Sequence, residues 1–517
     1  MKRNHFQVIL LVWLVIAMST IVFLAPGHAK EKAVQTGDVV FVTKATHFSM
    51  VGGDPVTLAG AGQAVIPSAV FDSLAERDAD GNVLPGLAKS WKIAPDWSYI
   101  DFVLREGVKF HNGAEVTAED VKYSLETYMR KGSKFATKGL LKRSIKKIEV
   151  QGPYKIRFNL KSPWPWWYEA IPWPFPKEYR EKVGDKGFAK KPIGAGSFRW
   201  VDYKQDRWVK LAAVKDHYRK TPEFKTLKLM AVPEASTRLA MLKSGEADIV
   251  GLIGPHIQQV RDDPEMSVKL IKDVQEQCLI YADLALPDKP SPWHDKRVRI
   301  AASMAIDRKA ICEKILFGLG TPTGEVISPV TRGYDPSVKP DPYNPEAAKA
   351  LLAEAGYSKG FKTVISTKQT RLLFMQAIAA NLADVGINAE LKVLENAAWN
   401  EGMRNKKFQG LTHLATFFGG SPHVAKDGLI LFTKLTPWCY NTTPEIEATI
   451  MKSMFAISEA DMTKAGRQIS KLIRESRIRM PLWNNHVAFG LGPRIEYWGA
   501  RTGFPTPSRF ETIRLKH

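Results

Sequence analysis

Leu104-Arg105-Glu106-Gly107-Val108-Lys109-Phe110-His111-Asn112-Gly113, followed shortly by Thr117-Ala118-Glu119-Asp120-Val121, is the stretch whose reading decides the fold. Just before it, Trp97 to Arg105 reads as a strand, with Ile100, Phe102 and Leu104 on one face at a period of two. His111-Asn112-Gly113 has the composition of a turn. Thr117 then opens a helix, since Asp120 stands three residues on and can reach back to the N–H of the cap. The apolar stripe of that helix runs through Val121, Leu125 and Tyr128. A strand, a turn and a capped helix in close succession point to an α/β architecture.

The alternation continues downstream. Pro345 to Ala355 is a helix capped by Asn344, with Pro345 at the first position, where no N–H is needed, and Gly356 at its end. Phe374 to Val385 is another, stopped by Gly386, and it leads into a strand in which Ile387, Ala389, Leu391 and Val393 alternate with more polar residues. Asp295 and Asp307 read as caps of two consecutive helices ending near Gly318. There is no internal repeat, heptad run or low-complexity segment. The one compositional oddity is Ser162 to Tyr179, where five prolines are interleaved with Trp164, Trp166, Trp167 and Trp173. So many prolines forbid a regular helix or central strand. The segment reads as an irregular wall whose rings pack on the core, with a ligand-stacking surface as the competing reading.

At the N-terminus, Met1 to His5 is short and basic, Phe6 to Ala25 is apolar and uncharged, and Gly27 and Ala29 have the spacing a signal peptidase accepts. This is the layout of a cleavable secretory signal ending near Ala29. Twenty apolar residues could also form an uncleaved anchor. The first cysteine after the run is Cys278, which excludes a lipid-modified start. The expected location is therefore the periplasm. Removing the first 29 residues takes away Lys2 and Arg3 and lowers the formal charge from +21 to +19. Basic residues are spread along the whole chain and the densest cluster (Lys142, Arg143, Lys146, Lys147) is short, so a solvated basic surface is expected and no nucleic-acid partner. Three cysteines, Cys278, Cys312 and Cys439, make no disulfide framework. The length exceeds what one core serves, so two or three lobes are expected.

Taken together, Phe71-Asp72-Ser73-Leu74, Leu84 to Trp91, the opening stretch, Pro176 to Tyr179, Gly194 to Phe198, Leu242 to Ile249, Asp295 to Arg308 and Ala347 to Tyr357 resemble the extracellular solute-binding proteins of family 5. Members of that family bind oligopeptides, dipeptides, nickel chelates, opines or oligosaccharides. The resemblance implies a two-lobed periplasmic binding protein of type II, α/β, with mixed sheets flanked by helices and a cleft between the lobes. Lobe I would comprise residues 30–278 plus 487–517 with an extra subdomain, and lobe II residues 279–486, after a signal peptide of residues 1–29. The strands that cross between lobes would run near 275–285 and 480–489. The implied partners are a small-molecule or peptide ligand and the transmembrane subunits of an ABC importer. The implied protein is a monomer and not an enzyme, with no cofactor, metal site or catalytic residue.

One departure bears on the ligand. Peptide-binding members hold the ligand's ammonium with an Asp in Gly-Trp-x-x-Asp-Tyr-x-x-Pro, because a buried cation needs a charge-assisted partner. The matching stretch is Ala415-Thr416-Phe417-Phe418-Gly419-Gly420-Ser421-Pro422-His423, which puts Phe418 where the Asp would stand. Asp427 is near in sequence and is a possible substitute. The candidate ligand-binding residues are therefore His47, Phe417, Phe418, Gly419, Trp438 and Tyr440: aromatic faces and a small residue that lets backbone approach a ligand. For Trp438 and Tyr440, packing inside lobe II is an equal alternative. His111 and the charged residues Arg105, Asp120, Asp307 and Arg308 read as turn, cap or ion-pair residues.

The rival classes are a secreted hydrolase and a membrane-anchored sensor. No His-Glu-x-x-His, Gly-x-Ser-x-Gly or Cys-x-x-Cys occurs, and Gly318-Leu319-Gly320 lacks a dinucleotide loop's third glycine. The sensor requires an uncleaved N-terminus. N-terminal sequencing of the exported protein is expected to begin just after Ala29, and a start at Met1 would contradict the signal-peptide reading.

Overall fold

The computed structural model of the chain describes residues 37–43, 53–58, 64–78, 82–135, 137–415, 423–503 and 506–516. All of these belong to one compact unit, Gln35–His517, and the preceding unit, Met1–Val34, falls outside them.

Two long strands organise the rest. Ser267–Tyr281 and Arg479–Leu491 run antiparallel to each other over nearly their whole lengths. The register shifts between Ile271 and Gln275, and Asp273 within that bulge takes a left-handed φ of 55°. On one side of the bulge, residues 267–271 pair with 487–491, which in turn pair with Ile249–Gly251. Asp38–Thr43 and Thr226–Ala231 follow as parallel neighbours, then Trp208–Ala213 and Phe198–Lys204. On the other side, residues 275–281 pair with 479–485 and with Leu411–Ala415, which leads to the parallel strands Phe361–Lys368 and Ile387–Leu394. With Gly320–Pro322, the described residues thus form one mixed sheet of eleven strands that passes through two lobes.

Lobe I carries a second, four-stranded antiparallel sheet: Ala88–Ile93, Tyr99–Leu104, Lys155–Leu160 and Ile145–Gly152. Against it lies the helix Ala118–Met129, where Thr117 and Asp120 make the reciprocal capping box that the sequence implies. The other caps form as read: Asn344 accepts from the N–H of Ala347, Asp295 from Arg297 and Asp307 from Ala310. The helix read as Phe374–Val385 occurs as Leu372–Ala383, and Gly386 at φ 92° releases the chain into the next strand. In that strand Val393 is 38% exposed despite its apolar phase, because Ile387–Leu394 is the outermost strand of the sheet.

The Pro-rich segment is a wall, as its composition suggests. Trp164, Trp166 and Trp167 are buried in the core of lobe I, and before the helix Lys177–Lys190 begins only the short turn Trp167–Ala170 is helical. Lobe II has its own cores, one around Trp293, Ile378, Leu382 and Trp483 and another around Trp399, Leu414 and Ile450. All three cysteines are free and buried.

Phe41 ties three distant parts of the chain together. Its ring lies 5.5, 5.3 and 5.2 Å from those of Phe489, Trp498 and Phe510, and it is fully buried. Phe41→Ala is expected to cost about 3–5 kcal/mol of stability through the cavity it leaves, measured as a fall in the denaturation midpoint.

Candidate functional site

The sheet's connectivity determines where a ligand can be held. In lobe II, Leu411–Ala415 runs so that Ala415 pairs with Gln277, beside the bulge, while Leu411 pairs with Tyr281, away from it. Phe361–Lys368 is parallel to that strand, so Lys368 ends on the same side. In lobe I, Ile249–Gly251 puts Gly251 opposite Phe489, nearer the bulge than Leu491, and Asp38–Thr43 runs parallel to it. The carboxyl ends of strands from both lobes therefore converge on the crossing point. Crevices outside the carboxyl ends of strands are where α/β folds bind ligands.

The two stretches that leave those ends, 44–52 and 416–422, lie outside the described residues, and with them His47, Phe417, Phe418 and Gly419. Trp438 and Tyr440 are described, and the structure does not bring them to the crossing point. The Tyr440 hydroxyl accepts from the N–H of Phe408 and donates to the carbonyl of Gly402, and its ring lies parallel to that of Phe408. Those partners precede Leu411, at the strand end away from the bulge. Burial pushes the phenol up to about 12. Trp438 is half-buried against the same core, with the Arg404 guanidinium 5.8 Å from its ring. Tyr440 is thus packed within a core of lobe II, and Trp438 lies against that core. His111 and the charged family-motif residues are internal too: His111 Nε2 meets the Gly196 carbonyl at 2.8 Å, and Arg105 donates to the Gly86 carbonyl. Burial holds the His111 imidazole down at about 4.

What does stand at the strand ends is basic. Lys368 Nζ lies 4.0 Å from the centroid of the Trp399 ring, and Arg371 follows in the next turn beside Phe374. Burial lowers the pKa of both, and for Lys368 the neighbouring Arg371 adds to the effect. Among the described residues neither has a carboxylate partner. Beside them, His413 shares a 2.9 Å hydrogen bond with Gln277 and is kept neutral by burial, reinforced by Arg371 and Lys368. Gln277 Nε2 and Thr367 Oγ1 are buried with no partner among the described residues, so the floor of the cleft is polar.

A second charged group joins the lobes. Glu169 of lobe I accepts from Arg77 at 3.2 Å and also from Lys426, which sits in the first turn of the lobe II helix Val424–Phe432. All three side chains are nearly buried, at 6–10% exposure. Sequence reading passed over this link, although one signal was available: Glu169 is the only charged residue between Lys161 and Lys177. The neighbouring Asp427 has one carboxylate oxygen enclosed without a partner, and burial pushes it up to about 6. Further along the crossing strand, Glu276 is 2% exposed. Burial pushes its carboxyl up to about 8 against the pull of Arg479.

A model of the bacterial extracellular solute-binding proteins, family 5 (middle) matches residues 82–424. Heme-binding protein A of Haemophilus influenzae is 27% identical over 387 residues, 68% of this chain and 69% of that protein. Di/tripeptide-binding protein 2 of Pseudomonas aeruginosa is 29% identical over 357 residues, 63% of this chain and 65% of that protein, just under two thirds of its length. Among solved structures, HbpA2 from Haemophilus parasuis superposes with a TM-score of 0.82 at 23% identity, covering 93% of this chain and all of that one. That likeness shows a common two-lobed fold.

Glu276 makes a pH prediction. A carboxyl whose folded pKa lies above its unfolded value contributes stability fully below pH about 4.5, and that contribution is lost as pH rises through about 8. Glu276→Gln cannot titrate, so its melting temperature relative to the parent is expected to climb between pH 5 and pH 9. A difference that stays constant across that range would rule out a buried, titrating Glu276.

Proposed function

The chain belongs to the bacterial extracellular solute-binding proteins, family 5, and from that premise we propose that it captures a small polar solute between its lobes for the membrane subunits of an ABC importer. The observation that carries this reading is the convergence of strand ends from both lobes on a two-strand crossing. A solute touching both sides favours the closed arrangement by its differential affinity for it, and by no more. The boundary between lobes in this reading falls at the bulge of residues 272–274 and at the facing residue 486. His47, Phe417, Phe418 and Gly419 belong to the two stretches that leave the strand ends, which makes them the proposed contacts.

The solute class follows from charge. Phe418 stands where an ammonium-binding Asp would be, and the described edge of the cleft offers Lys368 and Arg371 without acidic partners. The ligand is therefore one that presents a carboxylate or similar anion to lobe II. The relatives' names speak of heme and of di- and tripeptides, all of which fit a polar solute in the broad sense. The N-terminal run acts, in this reading, as a cleaved signal, and the mature protein works in the periplasm as a monomer, binding without turnover. None of the described helices is long and apolar enough to cross a membrane.

A thermal-shift screen of tripeptides in four forms tests this directly: free, N-acetylated, C-amidated and doubly blocked. Binding raises the melting temperature saturably, by the equivalent of about 2.7 kcal/mol at a hundredfold excess over Kd. Amidation is expected to weaken binding about tenfold to a hundredfold, as loss of a charge-assisted hydrogen bond does. N-acetylation should change little. Arg371→Ala should erase the difference between free and amidated forms. Tight binding that depends on the free amine would overturn the anionic assignment.

A further inference from the structure

We propose that the pocket between the four-stranded sheet of lobe I and the helix ends of lobe II is a second binding site, and that it takes a compact aromatic ring. Its volume is about 220 Å³, where roughly 150 Å³ suffices to hold benzene. The lobe I wall is aromatic: Trp91, Trp97, Trp167 and Tyr168 line it, and Trp91 and Trp167 meet edge to face at 5.1 Å. Rings stack best against such edges and faces. The site also gives the Pro- and Trp-rich segment a use beyond packing, since Pro165, Trp167 and Tyr168 all come from it.

Trp97 supplies an independent observation. It sits in the turn between Ala88–Ile93 and Tyr99–Leu104 at φ 59°, in the left-handed region, where glycine or asparagine is favoured and a bulky aromatic is strained. Residues held in such conformations collect at ligand sites, where the surrounding structure over-determines them. The Trp97 side chain is 3% exposed and forms part of the pocket lining.

Lobe II closes the pocket from the other side. Arg332 spans it, donating to Asn82 of lobe I at 3.2 Å and pairing with Glu459 of lobe II at 2.9 Å. A guanidinium over an aromatic ring is attractive in its own right. His423 also lines the pocket, and its two ring nitrogens are engaged by the Ala425 N–H and the Ala456 carbonyl. Three residues on from His423, Lys426 reaches Glu169, the residue that follows Tyr168 on the opposite wall. The buried ion pair thus fastens one wall to the other, so ring binding and lobe closure are coupled; this coupling, though not the site itself, rests on the lobe-closure reading above.

The test uses the full exported chain and 4-fluorophenol, followed by fluorine NMR. The expected result is saturable binding at one site. Met462→Trp fills the pocket from a half-buried position on the lobe II helix Glu459–Ser476 and should weaken binding at least tenfold. Trp97→Gly removes one wall and should weaken binding at least tenfold; because Trp97 is buried in the core, the variant also melts lower, so its affinity is measured well below its melting temperature. Absence of saturable binding to the parent, or parent-like affinity in Met462→Trp, would overturn the assignment. The probe carries no carboxylate, so its failure to bind leaves the tripeptide screen unaffected, and failure of that screen leaves this site standing.

Discussion

The antiparallel pairing of Ser267–Tyr281 with Arg479–Leu491 is the interaction on which everything else in the molecule depends. Each strand is a central member of two half-sheets, so the ladder between them carries the backbone hydrogen bonds of both lobes at once. The bulge at 272–274 interrupts that ladder at the one place where partners change from lobe I strands to lobe II strands. A bulge bends and twists the strand that carries it. Rotation of one lobe against the other there disturbs few hydrogen bonds, whereas bending elsewhere would break a continuous ladder. His486, on the partner strand, accepts from the N–H of Asp273 at 3.0 Å and meets Thr321 at 2.9 Å, so polar contacts support the bulge beside Val274, which is buried in the core.

The same pairing explains why the strand ends form a cleft. Because the crossing strands are antiparallel, the parallel strands added to each half-sheet end at the crossing from opposite sides. The two stretches that the sequence marked as ligand-contacting, around His47 and around Phe417 to Gly419, leave from those ends.

Local features were legible in the sequence because local physics decides them. The caps at Thr117, Asp295, Asp307 and Asn344 each satisfy an N–H two or three residues away, and each forms where the residue type predicts. The Pro-rich wall was legible for the same reason. The placement of Trp438 and Tyr440 was not, because an aromatic side chain looks alike in a cleft and in a core. Only the pairing of Leu411 with Tyr281 puts Tyr440 beside Phe408, at the far end of the strand. The basic edge at Lys368 and Arg371 was hidden too, since basic residues are spread throughout the chain and only tertiary structure distinguishes a charge with an acidic partner from one without.

Glu169 is the most informative of the residues whose role was missed, because its energetics bear on how the lobes move. Taking a carboxylate and an ammonium out of water costs several kcal/mol per ion, and their attraction in the interior roughly returns it when the geometry is good. A buried pair such as Glu169 with Lys426 therefore adds little net stability to the closed lobes. Its effect is on geometry instead. Partial opening would separate the two charges before water could reach them fully, which is worse than either end state, and Arg77 keeps Glu169 paired on the lobe I side throughout. The pair thus disfavours intermediate arrangements relative to the two end states. A solute's differential affinity for the closed arrangement then selects between the end states.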